Sequence, residues 1–568
     1  METLCSARTK LDLVLTEYTN ACTALANDLG PKISLNTFRA FCDEVIAELE
    51  LFTSLEEKMT QVRHTVEKMR NLFSAPVNTL PDEILTHIFH LAIGTQSPHT
   101  IGEDVLPTGS LAISQVCMRW RQIAFDSKSL WSCIQISPSH QLISLGGIFA
   151  KRSGDMPLTV QVTERLNPLP VAIQGFGTAR NVLNDIGPRA ETIIIDLETA
   201  PLVLPPPRTF PTLEGILTHC TQGKLTQLKT LDHRTRTEIS HECYQSSGHW
   251  FITAHDVPPS VLRDTPRSSI FVKFDIPHHE LEDIFSHLRI LKLHRIYPWW
   301  TSTAYHGLTE LRLTGPQALA AIITTQQLAD MLAASPELRF LQFGLEIRQT
   351  EITPSPVRLD KLEVFLLQSL RYDTQQAILR LILTKKSPLR ISTACNTSVL
   401  TRLPAPGGDE FCQFFRLSNI VQLHVHGDLR LRILLPDLLE LLPKLETLIL
   451  REVTVKELEV SNAKDLVIPP CPELRTCYLI TCIIDLEAIR WMIDAYNLQR
   501  VTIWNGSIGS TKRHRKGRYQ DLLKSFCPSV QILECGAREL DKVCGLEGWG
   551  ADMGERIATA SMNRYVVD

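Results

Sequence analysis

The chain has 568 residues, with 58 Lys and Arg against 62 Asp and Glu, for a net charge of −4. Hydrophobic residues make up 44% and charged residues 21%, an ordinary globular mix that excludes wholesale disorder. So mild a charge supplies no global field toward nucleic acid or anionic lipid, and at ~100–200 residues per domain the length asks for three or four domains or one long repeat array.

The most apolar stretch, 318–334, is interrupted by Gln326, Gln327 and Asp330, so no membrane-spanning helix is expected. The first residues read METLCSARTKLD, where Glu2, Arg8, Lys10 and Asp12 leave no room for the apolar region of a signal peptide. The expectation is an intracellular protein, cytoplasmic and/or nuclear. The 15 cysteines form no C-x-x-C pair, and the tightest group is Cys471, Cys477 and Cys482. Reduced, mostly buried thiols acting as small apolar residues fit that arrangement better than disulfides or zinc.

In chain order, Leu11, Leu15, Tyr18, Cys22, Leu25 and Leu29 recur at steps of three and four until Gly30-Pro31 breaks the pattern. A second run follows from Phe38 through Val45, Leu49, Phe52, Leu55, Met59, Val62, Val66 and Met69 to Phe73. Its stripe predicts a helical hairpin or short coiled coil, with self-association through the stripe as the sharper possibility. After Pro76, Leu80-Pro81-Asp82-Glu83 opens a fresh helix, proline suiting its first turn and the acids its positive end. Ile84, Leu85, Ile88, Phe89 and Leu91 give that helix an apolar face. A polar loop, 94–109, precedes one compact helical run over 111–124, closed by Ser129-Leu130-Trp131.

LPDEILTHIF, then SQVCMRWRQIA, then SLW, in that order, resembles an F-box. The layout, with a long helix directly before the box and KRSGDMPL-TVQV (151–162) after it, is similar to the F-box-like proteins expanded in mushroom-forming fungi. Met118 departs from the family's usual Arg or Lys, and the loop is longer than in a minimal box. The resemblance implies docking onto a Skp-type adapter of a cullin complex. The residues implied are Leu80, Pro81, Ile84, Leu85, Ile88, Phe89, Val116, Cys117 and Trp120. A box of about 60 residues cannot bury both faces of short helices, so each apolar candidate belongs either to a partner's groove or to the box's own core.

Beyond the box, an apolar triplet with two and then one intervening residues recurs: Leu288/Leu291/Leu293, Leu308/Leu311/Leu313, Leu338/Leu341/Phe343, Leu362/Phe365/Leu367, Ile420/Leu423/Val425, Leu445/Leu448/Leu450, Leu474/Cys477/Leu479, Leu498/Val501/Ile503 and Val530/Leu533/Cys535. A period in the twenties matches a degenerate leucine-rich repeat, with one gap near Leu389 that needs an eroded unit. Pro336, Pro443, Pro472 and Pro528 fall two residues before a triplet, where proline ends a helix and starts an extended segment. The fold class expected is thus α + α/β, an N-terminal helical segment and all-α box followed by an irregular leucine-rich-repeat-like α/β solenoid. The expected boundaries are 1–74 for the N-terminal helices, 75–137 for the box, 138–284 for a connecting region with first irregular repeats, 285–546 for the repeats and 547–568 for a tail. Residues 219–275 carry little signal.

Footing for an enzyme is weak. Gly175-Phe176-Gly177 lacks a third glycine, no P-loop or G-x-S-x-G occurs, and His241-Glu242 has no second histidine at metalloprotease spacing. His278-His279 with His287 reads as surface. The basic run 512–518 reads as a solvated loop, a nuclear-import signal or an anion or nucleic-acid contact. No catalytic residue, cofactor or metal is expected. The function expected is the substrate-recognition adapter of a cullin-RING (SCF-type) ubiquitin ligase. A scaffold without a ubiquitination role is the alternative, and an RNA- or lipid-binding repeat protein and an enzyme with an unrecognised site are further ones. The target-binding row expected on the concave face is Lys292, Arg312, Gln342, His424, Tyr478, Thr502 and Trp504. Of these, Tyr478 and Trp504 read either as exposed anchors or as residues packed on neighbouring strands.

Overall fold

The computed structural model describes residues 2–28, 35–74, 76–94, 109–136, 142–166, 186–199, 227–237, 250–257, 270–274, 276–315, 321–368, 371–384, 387–394, 410–427, 432–433, 435–455, 471–509 and short pieces of 523–533. The chain divides into two compact units, residues 1–95 and 96–568.

The first unit is helical. Helices α1 (Glu2–Asp28) and α2 (Leu35–Ser74) flank the predicted break at Gly30-Pro31, which lies outside the described residues. The Tyr18 hydroxyl donates to Glu48 Oε1 at 2.8 Å, and its ring stacks on Phe52 with centroids 6.3 Å apart, so the two helices form a hairpin. A 3₁₀ turn, Pro76–Thr79, leads into α3 (Asp82–Gly94), whose first turn carries Asp82 and Glu83. The Leu85 amide bonds the Pro81 carbonyl, which puts the proline where it has no amide to offer the helix.

The second unit opens with α4 (Gly109–Val116), α5 (Met118–Asp126) and a 3₁₀ turn over Lys128–Trp131, then β1 (Cys133–Ile136) and α6 (Leu142–Arg152). From β1 onward, 14 strands build one main sheet. Those after β1 are β2 (Leu158–Leu166), β3 (Ala190–Thr199), β4 (Thr230–Thr237), β5 (Ile290–His294), β6 (Glu310–Thr314), β7 (Phe340–Phe343), β8 (Val364–Leu367), β9 (Leu389–Ala394), β10 (Ile420–His426), β11 (Thr447–Arg451), β12 (Thr476–Ile480), β13 (Arg500–Trp504) and β14 (Ser529–Leu533). These 14 strands follow one another in chain order, each paired parallel with the next. Helices α7 (His278–Ser286), α8 (Thr325–Ala333), α9 (Tyr372–Leu381), α10 (Glu410–Leu417), α11 (Leu435–Glu440) and α12 (Leu486–Tyr496) return the chain between strands. Consecutive parallel strands joined by short helices make a leucine-rich-repeat-like α/β solenoid.

Register explains the triplet. Leu291, Leu311, Leu341, Phe365, Ile391, Leu423, Leu448, Cys477, Val501 and Val530 lie side by side across the sheet. All ten are buried, and so are the leucines three residues before most of them. Each buried aliphatic side chain stabilises by ~2 kcal/mol, and stacking repeats sums that along the array. The proline rule also acquires a geometry. Ser335-Pro336-Glu337-Leu338, Leu442-Pro443-Lys444-Leu445 and Cys471-Pro472-Glu473-Leu474 are turns in which the leucine amide bonds back to the first carbonyl. Proline sits second in each, where its fixed φ suits the turn.

One reading gains its reason and three change. The gap near Leu389 holds a strand, β9, whose register shifts between Leu389 and Arg390; that irregularity is why its triplet does not score. The last triplet is displaced, because pairing of Val501 with Val530 and Ile503 with Ile532 makes the unit Cys527/Val530/Ile532. The sheet also reaches back beyond residue 285: Trp131/Ile134/Ile136 of β1 and Leu228/Leu231/His233 of β4 occupy the triplet positions, with β4 falling in the stretch that carried little signal. Finally, the helical run over 111–124 is broken at Cys117.

Residues that leave the main strands share a backbone device. Arg295, Glu452, Thr481 and Asn505 each follow the last triplet position by two residues and adopt positive φ, from 45° to 70°. This left-handed step turns the chain into short second strands such as Thr454–Val455, Ile483–Asp485 and Ser507–Gly509, which pair with one another.

Candidate functional site

The helices before β1 carry apolar side chains on more than one face. On α3, Leu85 and Phe89 are buried, whereas Ile84 (48% exposed), Ile88 and Leu91 stand out at i, i+4 and i+7. Cys117 is extended between α4 and α5, and its Sγ accepts the Trp120 amide at 3.5 Å as the cap of α5. Arg121 Nε donates to the Ser114 carbonyl at 2.9 Å, covering an acceptor the break leaves open. Val116 and Met118, either side of the break, are exposed, while Cys117 and Trp120 are half-buried.

Trp131 locks α4 and α5 to the sheet. It is fully buried, its Nε1 donates to the Ala124 carbonyl at 2.6 Å, and it meets Phe149 edge-on at 5.0 Å. The Arg152 guanidinium lies 4.3 Å from the Trp131 ring and 4.4 Å from Phe125. Ser110 Oγ donates to the Leu130 carbonyl at 2.6 Å.

The inner face of the sheet is formed by residues between the triplet positions. One register row runs Asp232, Lys292, Arg312, Gln342, Leu366, Ser392, His424, Ile449, Tyr478, Thr502. Its early part is charged. Lys292 Nζ and Arg312 Nε reach Glu310 Oε1 at 3.2 and 2.5 Å, Arg234 pairs with Asp232 at 2.7 Å, and Arg312 stacks over Phe340 at 4.0 Å. Its middle holds His424 Nδ1 at 3.0 Å from Ser392 Oγ; burial, with His426 and Arg451 nearby, drives that imidazole far below its usual range. In the later part, Val364, Leu366, Ile449, Tyr478, Ile480 and Trp504 form one buried apolar cluster against Phe340.

Elsewhere, Cys471, Cys477 and Cys482 are buried, and burial pushes the Cys471 and Cys482 thiols up to about 11. Among the described residues no group of three or more His, Cys, Asp or Glu could hold a metal ion, and no helix is long and apolar enough to cross a membrane. The motifs 175–177, 241–242 and 512–518 lie outside the described residues.

The sequence matches the F-box-like family over residues 77–137. Those residues are an F-box-like domain. The F-box therefore includes α3, α4, α5 and all but the flanks of the Trp131 lock, and its last four described residues are the first strand of the solenoid. Comparison with curated proteins gives no significant match. Among solved structures, the crystal structure of an internalin from Listeria monocytogenes str. 4b F2365 is similar at 12% identity, covering 62% of this chain and 88% of that one, with a TM-score of 0.24.

Exposure sorts the expected F-box docking residues. Pro81, Ile84, Ile88 and Val116 are exposed; Leu80, Cys117 and Trp120 are intermediate; Leu85 and Phe89 belong to the interior. Leu91 and Met118 are exposed apolar residues that the motif comparison passed over. On the inner face six of the seven expected residues share that register row, and Trp504 lies two residues on, beside Ile480; the reading of Tyr478 and Trp504 as exposed anchors is corrected, since they are 6% and 3% exposed. Gln342, His424 and Thr502 are buried too, which leaves Lys292 and Arg312 as the partly exposed members. The reason is legible in the strands. Val364-Phe365-Leu366-Leu367 and Leu448-Ile449-Leu450 are apolar at every position, the pattern of strands buried on both faces.

Proposed function

We propose that this chain is a protein-interaction adapter, the target-recognition subunit of a cullin-RING ubiquitin ligase. The observation that carries it is the exposed apolar stripe Ile84, Ile88, Leu91 on α3 inside an F-box-like domain. The helix places those side chains at successive turns, where a Skp-type adapter's groove would take them and the buried Leu85 and Phe89 would hold the helix's other side. The chain contributes proximity, raising the effective concentration of a bound protein's lysine near the enzyme that transfers ubiquitin. Target recognition falls to the charged part of the inner face, Arg234, Lys292, Glu310 and Arg312, whose side chains remain partly exposed. A cytoplasmic or nuclear site of action goes with this role, and the layout around the box supports kinship with the F-box-like proteins of mushroom-forming fungi.

The test is direct binding of the full chain to a purified Skp-type adapter. Ile84→Ala/Ile88→Ala should weaken binding by ~30-fold or more, since buried interface anchors are worth ~1 kcal/mol or more each, with the thermal unfolding midpoint unchanged. Failure of the unsubstituted chain to bind any Skp-type adapter overturns the proposal. Recovery of the adapter without cullin from cells assigns a scaffold role instead.

A further inference from the structure

The N-terminal hairpin leaves apolar surface that its own two helices do not cover. No residue of α1 is buried. On α2, Phe52, Leu55, Met59, Val62, Val66 and Met69 alternate by three and four residues and are each 40–54% exposed. That is a seven-residue repeat held from Phe52 to Met69, the pattern of a helix seam with a partner helix. Where the repeat would next place an apolar residue it has Glu48, and the Tyr18 hydroxyl bonds that carboxylate at 2.8 Å. The one acid in the seam is thus used to hold the hairpin. On α1, Leu4, Leu11, Tyr18 and Leu25 recur every seven residues, and the three leucines are exposed. A two-helix hairpin cannot enclose a core, whereas four helices can.

We infer that two copies of this chain associate through these hairpins, α2 against α2 antiparallel, into a four-helix bundle. Charge selects both the occupant and the direction. In a parallel pair, Lys58 would face Arg63 of the second copy one heptad on, a like-charge contact. In an antiparallel pair pivoting between Thr60 and Gln61, Met59 meets Val62 of the second copy, Leu55 meets its Val66 and Phe52 its Met69. The same pivot sets Glu56 beside Arg63 of the second copy, twice by symmetry. The Arg63 side chain is 78% exposed and pairs with Glu67 one turn on, at 3.1 Å, so it is placed to make that contact. The seam is therefore complementary to itself, which other apolar partners would have no reason to match.

Sedimentation of the full-length protein at micromolar concentration reads the inference. A mass twice that of one chain is expected, and Met59→Glu/Val62→Glu should return it to one. Ile46→Glu, on an exposed position off the seam, should leave the dimer intact. Glu56→Lys should raise the dissociation constant by roughly tenfold through two like-charge contacts, and adding Arg63→Glu should restore it. The rescue separates a lost contact from a lost fold. A monomeric full-length chain, a dimer indifferent to Met59→Glu/Val62→Glu, or no rescue by Arg63→Glu overturns the inference.

Discussion

His233 occupies a triplet position of β4, between Ile195 on one neighbouring strand and Leu293 on the other. Burial there pushes its imidazole down to about 4, against a partial opposing pull from the His294 backbone and Asp232 and with Arg295 adding to the depression. The folded state therefore holds this ring neutral while the unfolded chain protonates it near 6.5. The unfolded state binds the extra proton, so stability falls as pH drops through the window from 6.5 to 4 and is undisturbed above it. A shift of about 2.5 units at ~1.4 kcal/mol each gives a full cost of ~3 kcal/mol, of which ~2 kcal/mol is already present at pH 5. His233→Leu, close in volume and identical to its register neighbour Leu293, removes that cost. Urea unfolding of both proteins at pH 7.5 and 5.0 is the assay, and the quantity is the difference of differences. His424, likewise buried and held neutral, gives the same slope in both proteins and cancels. The variant should lose ~2 kcal/mol less than the parent on acidification. Equal losses would show that the ring titrates normally and that β4 does not bury it.

Two further expectations are independent of that one. Thr481 is β-branched at φ 51°, a conformation costly for its type, in the place that Asn505 fills one repeat later; Thr481→Asn should raise stability by ~1 kcal/mol in denaturant titration. Cys477 and Cys482 should resist alkylation at pH 8 until denaturant is added, because burial raises both thiols, while the exposed Cys5 and Cys22 react at once in peptide mass mapping.

Local signals carried most of the architecture. The stripe steps of α1 and α2, the Pro81-Asp82-Glu83 opening of α3 and eight of the triplets are readable because each is set by one helix face or one strand. What was hidden depends on pairing between distant segments. The frame of the last triplet needs the register of Val530 against Val501, and the early strands have Trp131 and His233 where a leucine pattern finds no match. Cys117 reads as mid-helix until its extended backbone and its contact with the Trp120 amide are seen. For the candidate site, the motif located the box, but only exposure separates Ile84 and Ile88 from Leu85 and Phe89. The inner-face error came from treating strand alternation as a rule for an open surface, whereas Leu366 and Ile449 already make that face apolar.

Because β1 is both the end of the F-box and the first strand of the sheet, the repeats work as a ruler with its zero mark inside the box. Parallel strands lie ~4.8 Å apart, so the charged stretch from β4 to β6 begins three steps, ~14 Å, from β1 and ends five steps, ~24 Å, away. Gaining or losing one strand–helix unit between β1 and β4 would move that charged stretch by ~5 Å while leaving the box untouched. If that stretch holds a target, as proposed, the target's placement would then change in fixed increments set by backbone hydrogen-bonding geometry, without any change in the residues themselves.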